Sequence, residues 1–350
     1  LQQLVKQVSH ALAPAAVPVA SLPRFGELVD EWLTAIRPKR VAPDNEERLA
    51  RRLTPLLEEN EDTLTVAAID GFLSGLSAEL APATINKLRG TGRLVVEYVQ
   101  ANRKWAGPNP FALVKRARVP RRRYDLLSGD ELRKVQAKLN PMRRREFRVA
   151  LHLGLRKGEL FALQKVDVDF TTATITIRRS HGRDSTKTGK DRTIPLLPAV
   201  AGDLLEAIQA SPADSLLVFP SGSAGLQDKN TKLTNTLRTA MASAGVGVTR
   251  VRYKCRRTTC DAEDLVEVGH TVDRDRDCPQ CGMRLWPVPT VRAVRWYDLR
   301  HMAATFHREA GADPLAIALL LGHAVHQTTE AVYTHLSSST LMRELSKWKL

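Results

Sequence analysis

Cysteine is scarce in this sequence. There are four in 350 residues, and all four lie between Cys255 and Cys281. That distribution excludes a framework of disulfides spread through a secreted fold. No apolar run is long enough to span a bilayer, which excludes a protein built on membrane-spanning helices. No basic amphipathic helix stands out, so a role on a membrane surface has nothing to rest on. Residues 1–23 alternate Ala, Pro and Val with a single Lys and no secretory core. They read as a flexible tether, not a signal peptide. The sequence opens on Leu1 and not on Met, which leaves room for residues upstream. Acidic residues are in deficit as well: 38 Asp and Glu against 53 Lys and Arg, a formal net charge of +15. Such an excess favours a polyanionic partner, with nucleic acid as the first expectation. The length suits two or three domains with sizeable cores.

The chain reads as mostly α with a small antiparallel β-sheet, an α+β protein. Residues 24–106 are helical throughout. Phe25, Leu28, Val29, Trp32, Leu33 and Ile36 recur at helix spacing, and Pro38 closes that helix. Further helices are predicted over Glu46–Leu57, Val66–Leu76 and Ala83–Asn102. Gly107, Pro108 and Pro110 then break the pattern. Residues 107–126 read as a basic linker, with Lys115, Arg116, Arg118, Arg121, Arg122 and Arg123 inside nine residues. A Pro-broken basic run of this kind can lie along a phosphate backbone. The second domain, 127–350, opens with Ser128 and Glu131 as a capping box for a helix over Gly129–Leu139. A helix over Arg145–Leu153 runs into GLRKGEL, where Arg156 opens a helix and Glu159 follows. Val166–Phe170, Ala173–Arg178 and the run RTIPL alternate as strands.

The C-terminal stretch carries the chemistry. Asp298–Arg308 is one helix, with Leu299, Met302, Ala303 and Phe306 inward. Leu315–Leu321 is a second, ending at Gly322, and Tyr333 lies on or beside a third. This layout can gather Arg300, His323 and Tyr333 at one pocket. A tyrosine hydroxyl is a nucleophile once its proton is taken. Arginine grips two phosphate oxygens with a permanent charge. Histidine donates a hydrogen bond or moves a proton near neutral pH. The trio suits attack on a phosphodiester without a catalytic metal.

The runs YDLRH, LLGH and TTEAVYTH resemble the C-terminal signature of the tyrosine recombinases, the phage-integrase family. GLRKGEL, in order before them, resembles the family's first arginine box. The likeness covers roughly residues 24–348, apart from one insertion. It implies a helical core-binding domain over 24–106 that grips DNA, followed by a catalytic domain. It assigns Tyr333 as nucleophile, Arg156 and Arg300 as the phosphate-holding pair, Glu159 as a supporting acid and His323 as a second supporting group. Lys187 matches the lysine of the β-hairpin that protonates the leaving oxygen, and Lys190 competes for that role. Most members have His where this chain has Tyr297, so Tyr297 departs from the pattern and can only hydrogen-bond there. The resemblance also implies double-stranded DNA as partner and a homotetramer on DNA. An accessory DNA-bending protein and a cytoplasmic, nucleoid-associated location complete the expectation. Two other readings stay open: a topoisomerase-like nicking and resealing enzyme, and a DNA-binding regulator with a weakened site. The segment Thr340–Leu350, with Leu341, Leu345 and Trp348, docks either on a neighbour or on its own domain.

The insertion spans 249–291. It pairs Cys255 with Cys260 and Cys278 with Cys281, the latter as a CPxCG knuckle that aims two thiolates at one metal. Two such pairs resemble a zinc ribbon, with structural Zn²⁺ held by four thiolates and His270 as a spare ligand. The segment between the pairs is acidic and too poor in apolar residues to form a core of its own.

Overall fold

The computed structural model describes residues 23–39, 44–102, 104–120, 124–186, 191–269, 272–323, 337–348 and 350. The chain divides into two compact units, Leu1–Arg122 and Arg123–Leu350. It is mostly helical with two small antiparallel sheets, the α+β class expected. No helix among the described residues is long and apolar enough to cross a membrane.

The first unit holds α1 (Phe25–Ile36), α2 (Asp44–Arg51), α3 (Val66–Gly75), α4 (Pro82–Ala101) and a short α5 (Pro110–Leu113). The helix-spaced residues Phe25, Leu28, Val29, Trp32 and Leu33 are the buried face of α1. α2 stops short of the predicted Leu57, because Pro55 cannot sit in a helix interior. Thr54–Leu56 forms a separate tight turn instead. α4 buries Ile85, Leu88, Val95, Val96 and Val99. Gly92 is where α5 meets α4: a Cβ there would lie 2.3 Å from the Phe111 ring. Arg89 donates to the carbonyls of Val114 at 2.7 Å and Ala112 at 2.9 Å, closing the end of α5. Asn86 brackets the backbone of Ala117 with two bonds of 2.8 Å. Residues 110–117, read from sequence as linker, therefore pack on the first unit.

The second unit continues with α6 (Gly129–Ala137), α7 (Pro141–Leu153), α8 (Lys157–Phe161), β1 (Val168–Asp169), β2 (Thr174–Ile177), β3 (Arg192–Pro195), α9 (Pro198–Ala210) and α10 (Leu233–Ser243). After these come β4 (Val248–Lys254), β5 (Leu265–Val268), β6 (Trp286–Val291), α11 (Asp298–Glu309), α12 (Pro314–Leu321) and α13 (Ser338–Leu345). The capping box at α6 is present in both halves. α7 runs through the core, with Phe147, Val149, Ala150, Leu151 and Leu153 buried. The first sheet has the order β1-β2-β3, with Ile175 opposite Ile194. The second sheet, order β5-β4-β6, is the insertion. Its small core is Val248, Val251, Tyr253, Cys278 and Leu285. Those residues lie outside the acidic segment between the cysteine pairs.

The C-terminal segment packs on its own domain. Leu341 and Leu345 are buried, and the Trp348 ring stacks on His152 at 4.3 Å and on Phe306 at 5.2 Å. The His307 ring meets Trp348 edge-on at 5.2 Å, and one of its nitrogens lies 2.9 Å from the His152 carbonyl. Both imidazoles are buried, and neither His152 nitrogen has a partner among the described residues. Burial, reinforced by Arg148 and His307, pushes His152 down to about 3, and burial lowers His307 as well. An unfolded histidine takes its proton near 6.5. Below that pH the unfolded chain binds protons that the fold refuses, so stability is present above about 6.5 and drains away as pH falls. His152 alone accounts for a loss of about 2 kcal/mol at about pH 5. Thermal unfolding of the full chain at the two pH values checks this, and His152→Phe, which keeps the stack, should remove part of the pH dependence.

Candidate active site

Two helix ends and one carboxylate build the site. α7 ends at Gly154 and α12 ends at Gly322, with φ of 60° and 64°, a left-handed conformation that favours glycine. Space imposes the same choice. A Cβ on Gly154 would lie 2.3 Å from Leu321, and one on Gly322 would lie 3.0 Å from Arg192 Cδ. Each helix thus turns sharply and leaves its last carbonyls without intrahelical partners. Those carbonyls carry the negative end of the helix dipole, which attracts cations. Arg300, on α11, donates from Nη1 to Gly154 O at 2.7 Å and from Nη2 to Leu321 O. Arg192, at the start of β3, donates from Nε to Leu320 O at 3.1 Å.

Glu159 is the hub. It sits on α8, 1 % exposed, and its carboxylate accepts from Arg156 Nη1 at 2.6 Å and from Arg192 Nη2 at 2.8 Å. It also accepts the Arg156 backbone N–H at 3.0 Å, which fixes the start of α8. Burial works against its ionisation, but the bond and charge of Arg192 and the two hydrogen bonds from Arg156 outweigh it and hold its pKa below the usual range. Two guanidiniums thus converge on one carboxylate with Arg300 nearby on two carbonyls, and the cluster keeps a net positive charge. Arg300 is 3 % exposed, and burial followed by repulsion from Arg156 lowers it to about 10. It stays charged at neutral pH. Its planar fork is held on one side by two helix ends, the kind of fixed donor set that suits two oxygens of a phosphate.

His323 follows Gly322 directly, and its backbone N–H closes α12 onto Ala318 O at 3.0 Å. Burial first, then Arg300, Arg156 and Arg192, lower its pKa. It is therefore a neutral imidazole at pH 7, able to accept or donate a hydrogen bond. Arg156, Glu159, Arg300 and His323 are brought together. Arg192 joins them without a sequence signal of its own, since it only opens the strand RTIPL.

Tyr297 lies within electrostatic reach of Arg300. It caps the start of α11, is 48 % exposed and packs its ring edge-on against His301 at 5.4 Å. His301 also lies against Tyr124, with ring centroids 4.0 Å apart. Among the described residues Tyr297 makes no hydrogen bond to the arginine cluster. Lys187, Lys190 and Tyr333 lie outside the described residues, as do Arg121, Arg122 and Arg123 of the linker. Lys115, Arg116 and Arg118 are exposed and pair with no acid among the described residues.

The four cysteines form a second centre, within the insertion. Their sulfurs all lie within 4.8 Å of one another, close enough to hold a metal ion. Cys255 and Cys281 are 3.5 Å apart and Cys260 and Cys278 are 3.8 Å apart. A tetrahedron with metal–sulfur bonds of about 2.3 Å needs edges of about 3.8 Å. The knuckle is closed by Gly282 N–H on Cys278 O at 2.9 Å, with Gly282 at φ 67°. Burial opposes ionisation of Cys278, but the N–H groups of Gln280 and Cys281 outweigh it and bring the thiol to about 7. His270 lies outside the described residues.

No family model matches the chain. Two archaeal proteins named tyrosine recombinase XerA are similar to it. That of Thermococcus onnurineus is 27% identical over 285 residues, 79% of this chain and 83% of the relative. That of Pyrococcus furiosus is 25% identical over 274 residues, covering 75% and 78%. Among solved structures, a lambda integrase dimer bound to a COC′ core site superposes with a TM-score of 0.61 at 14% identity, covering 87% of this chain and 97% of its own. A lambda integrase tetramer bound to a Holliday junction gives 0.63 at 15%, covering 93% and 87%. The Tn1549 transposon integrase bound to a circular-intermediate DNA gives 0.63 at 16%, covering 93% and 99%.

Proposed function

We propose that this member of the tyrosine recombinase family cuts and rejoins double-stranded DNA at specific sites through a 3′-phosphotyrosyl intermediate. The observation that carries the reading is the Arg300 fork, buried and pinned between two helix ends, beside Arg156 and Arg192 on one carboxylate. Tyr333 Oη attacks the scissile phosphorus, an O–P bond forms, and the bond to the 5′-oxygen breaks. Arg156 and Arg300 hold the non-bridging oxygens as charge develops on them. Arg192 acts through Glu159 as a positioning residue, keeping Arg156 in place. His323, neutral, supports the phosphate or receives the tyrosine proton. Lys187, with Lys190 as the competing candidate, delivers a proton to the leaving 5′-oxygen. The energy of the broken bond is kept in the phosphotyrosyl ester, so neither ATP nor a catalytic metal is called for. Strand exchange joins four such sites, hence a homotetramer on DNA, with an accessory bending protein as a further partner. Action on chromosomal DNA places the protein in the cytoplasm, on the nucleoid.

The test is a nicked duplex carrying the target site, run on a denaturing gel. A covalent protein–DNA adduct and exchange between two such sites support the reading. Relaxation of supercoiled DNA without exchange would mean a topoisomerase-like enzyme. Binding without adduct would mean a regulator, a reading that Tyr297 in place of histidine favours.

Linker residues Lys115, Arg116, Arg118, Arg121, Arg122 and Arg123 contact phosphates without reading bases. Neutralising three of them should weaken binding to every duplex alike and flatten the salt dependence by at most about three units of slope. A loss confined to one sequence would assign them to base reading.

The four cysteines hold one structural Zn²⁺ in a closed site. The small core of the insertion leaves much of its folding energy to the metal. Elemental analysis should find about one zinc per chain, and Cys278→Ser should lose it. Chelation should speed proteolysis between Cys260 and Cys278 before any other segment opens.

A further inference from the structure

A cleft of 970 Å³ lies between the four-cysteine module and α10, and Arg238, Arg256, Arg274 and Arg284 line it. No carboxylate is among its lining residues. Trp286 lines it too, 51 % exposed, with the Arg256 guanidinium 3.7 Å above its ring. Arg238 anchors the inner wall by donating from Nε to Val294 O at 3.1 Å. Arg284 pairs with Asp275 at 3.0 Å, but both side chains are mostly exposed, so the pair is weak.

The sheet order sets two of the module's acids apart from the cleft. β4 is central, with β5 at one edge and β6 at the other. Asp264 and Glu267 belong to the β5 side, where they meet Arg252, Lys254 and Arg276. The cleft runs along the β6 side, away from those acids. The β6 edge also resists a peptide partner. Pro287 and Pro289 lie in register with Tyr253 and Val251. Proline has no amide to give a ladder, so an incoming strand finds donors missing at alternate positions. What is left is a line of exposed guanidiniums with one aromatic platform, a surface whose complement is a row of phosphates.

We propose that this cleft is a second DNA-binding surface, which takes the phosphate backbone of duplex DNA outside the catalytic pocket. The proposal rests on the recombinase reading of the chain. In it the insertion enlarges the DNA footprint. Arg256, Arg274 and Arg284 supply charge without sequence readout, and Arg238 ties the contact to the segment that leads into α11.

The test uses the full chain with a mixed-sequence duplex of about 40 base pairs, titrated from about 50 to 200 mM salt. Replacing Arg256, Arg274 and Arg284 together by Gln should lower the salt slope by about 0.9 per contact and weaken binding at least roughly tenfold. Replacing all three by Lys should restore most of the slope. Metal content equal to wild type shows that the module is folded. If the triple variant loses its metal, the single Arg256→Gln and Arg284→Gln variants carry the test, each expected to lower the slope by about one. Wild-type affinity and slope in the folded Gln variants would overturn the proposal and leave the recombinase reading intact. Failure of the wild-type chain to bind any duplex would instead overturn that reading. A poly-glutamate competitor closes the remaining case. If the variants lose poly-glutamate binding but keep duplex binding, the cleft serves an acidic protein and the proposal is wrong.

Discussion

Tyr333→Phe is expected to leave DNA binding at the wild-type level and to reduce covalent attachment of DNA below detection. The change removes one oxygen and keeps the ring, so packing around the position should survive. The lost oxygen is the one that bonds to phosphorus, and no neighbouring group in the proposed scheme replaces it. A nucleophile knocked out in this way costs orders of magnitude, not a fraction. A gel under denaturing conditions reads the result directly. Adduct from the Phe variant would move the nucleophile elsewhere, with Tyr297 as the first suspect.

Arg300→Ala is expected to abolish cleavage, whereas Tyr297→Phe should slow it modestly. Removing one fixed donor to a developing oxyanion costs about a hundred- to a thousandfold. Arg300 supplies a permanent charge as well, from a position 3 % exposed. Tyr297 is half exposed and faces His301, so its hydroxyl offers at most a hydrogen bond, worth about 0.5–1.5 kcal/mol or up to roughly tenfold. Arg300 has a structural duty too, because alanine would strand the carbonyls of Gly154 and Leu321. Arg300→Lys separates the two effects. It keeps a charge near the helix ends but loses the planar fork, so stability should recover further than cleavage does. Thermal unfolding and single-turnover cleavage of the three variants settle the order. Equal losses from Tyr297→Phe and Arg300→Ala would give Tyr297 a chemical role beyond a hydrogen bond.

Much of the site was legible because its signals are local. Glu159 follows Arg156 by three positions on one helix turn, and Gly322 precedes His323 at a helix end. Spacing of that kind survives in sequence. Arg192 was not legible, because its partners are Glu159 and the carbonyl of Leu320, 33 and 128 residues away. No periodicity links such positions. Tyr297 lies one helical turn before Arg300 with helical backbone angles, yet it is 48 % exposed with its ring against His301, a contact that spacing alone does not show. α9 and α10 have no side-chain N-cap bond to mark their starts, although Pro198 opens one and Leu233, Leu237, Ala240 and Met241 are the buried face of the other. Pro110 reads in sequence as a breaker, yet the residues that follow it pack on the first unit. Proline at the first position of a helix starts it, and here it starts α5. The choice between the two docking modes of the C-terminal segment needed three-dimensional contacts, which Trp348 provides on His152 and Phe306.

The most direct measurement is mass spectrometry of the covalent complex after nuclease and protease digestion. A nucleotide remnant on the peptide that contains Tyr333, joined through its phenolic oxygen to a 3′-phosphate, is the expected result. A remnant on Tyr297, on any other residue, or at a 5′-phosphate would contradict it.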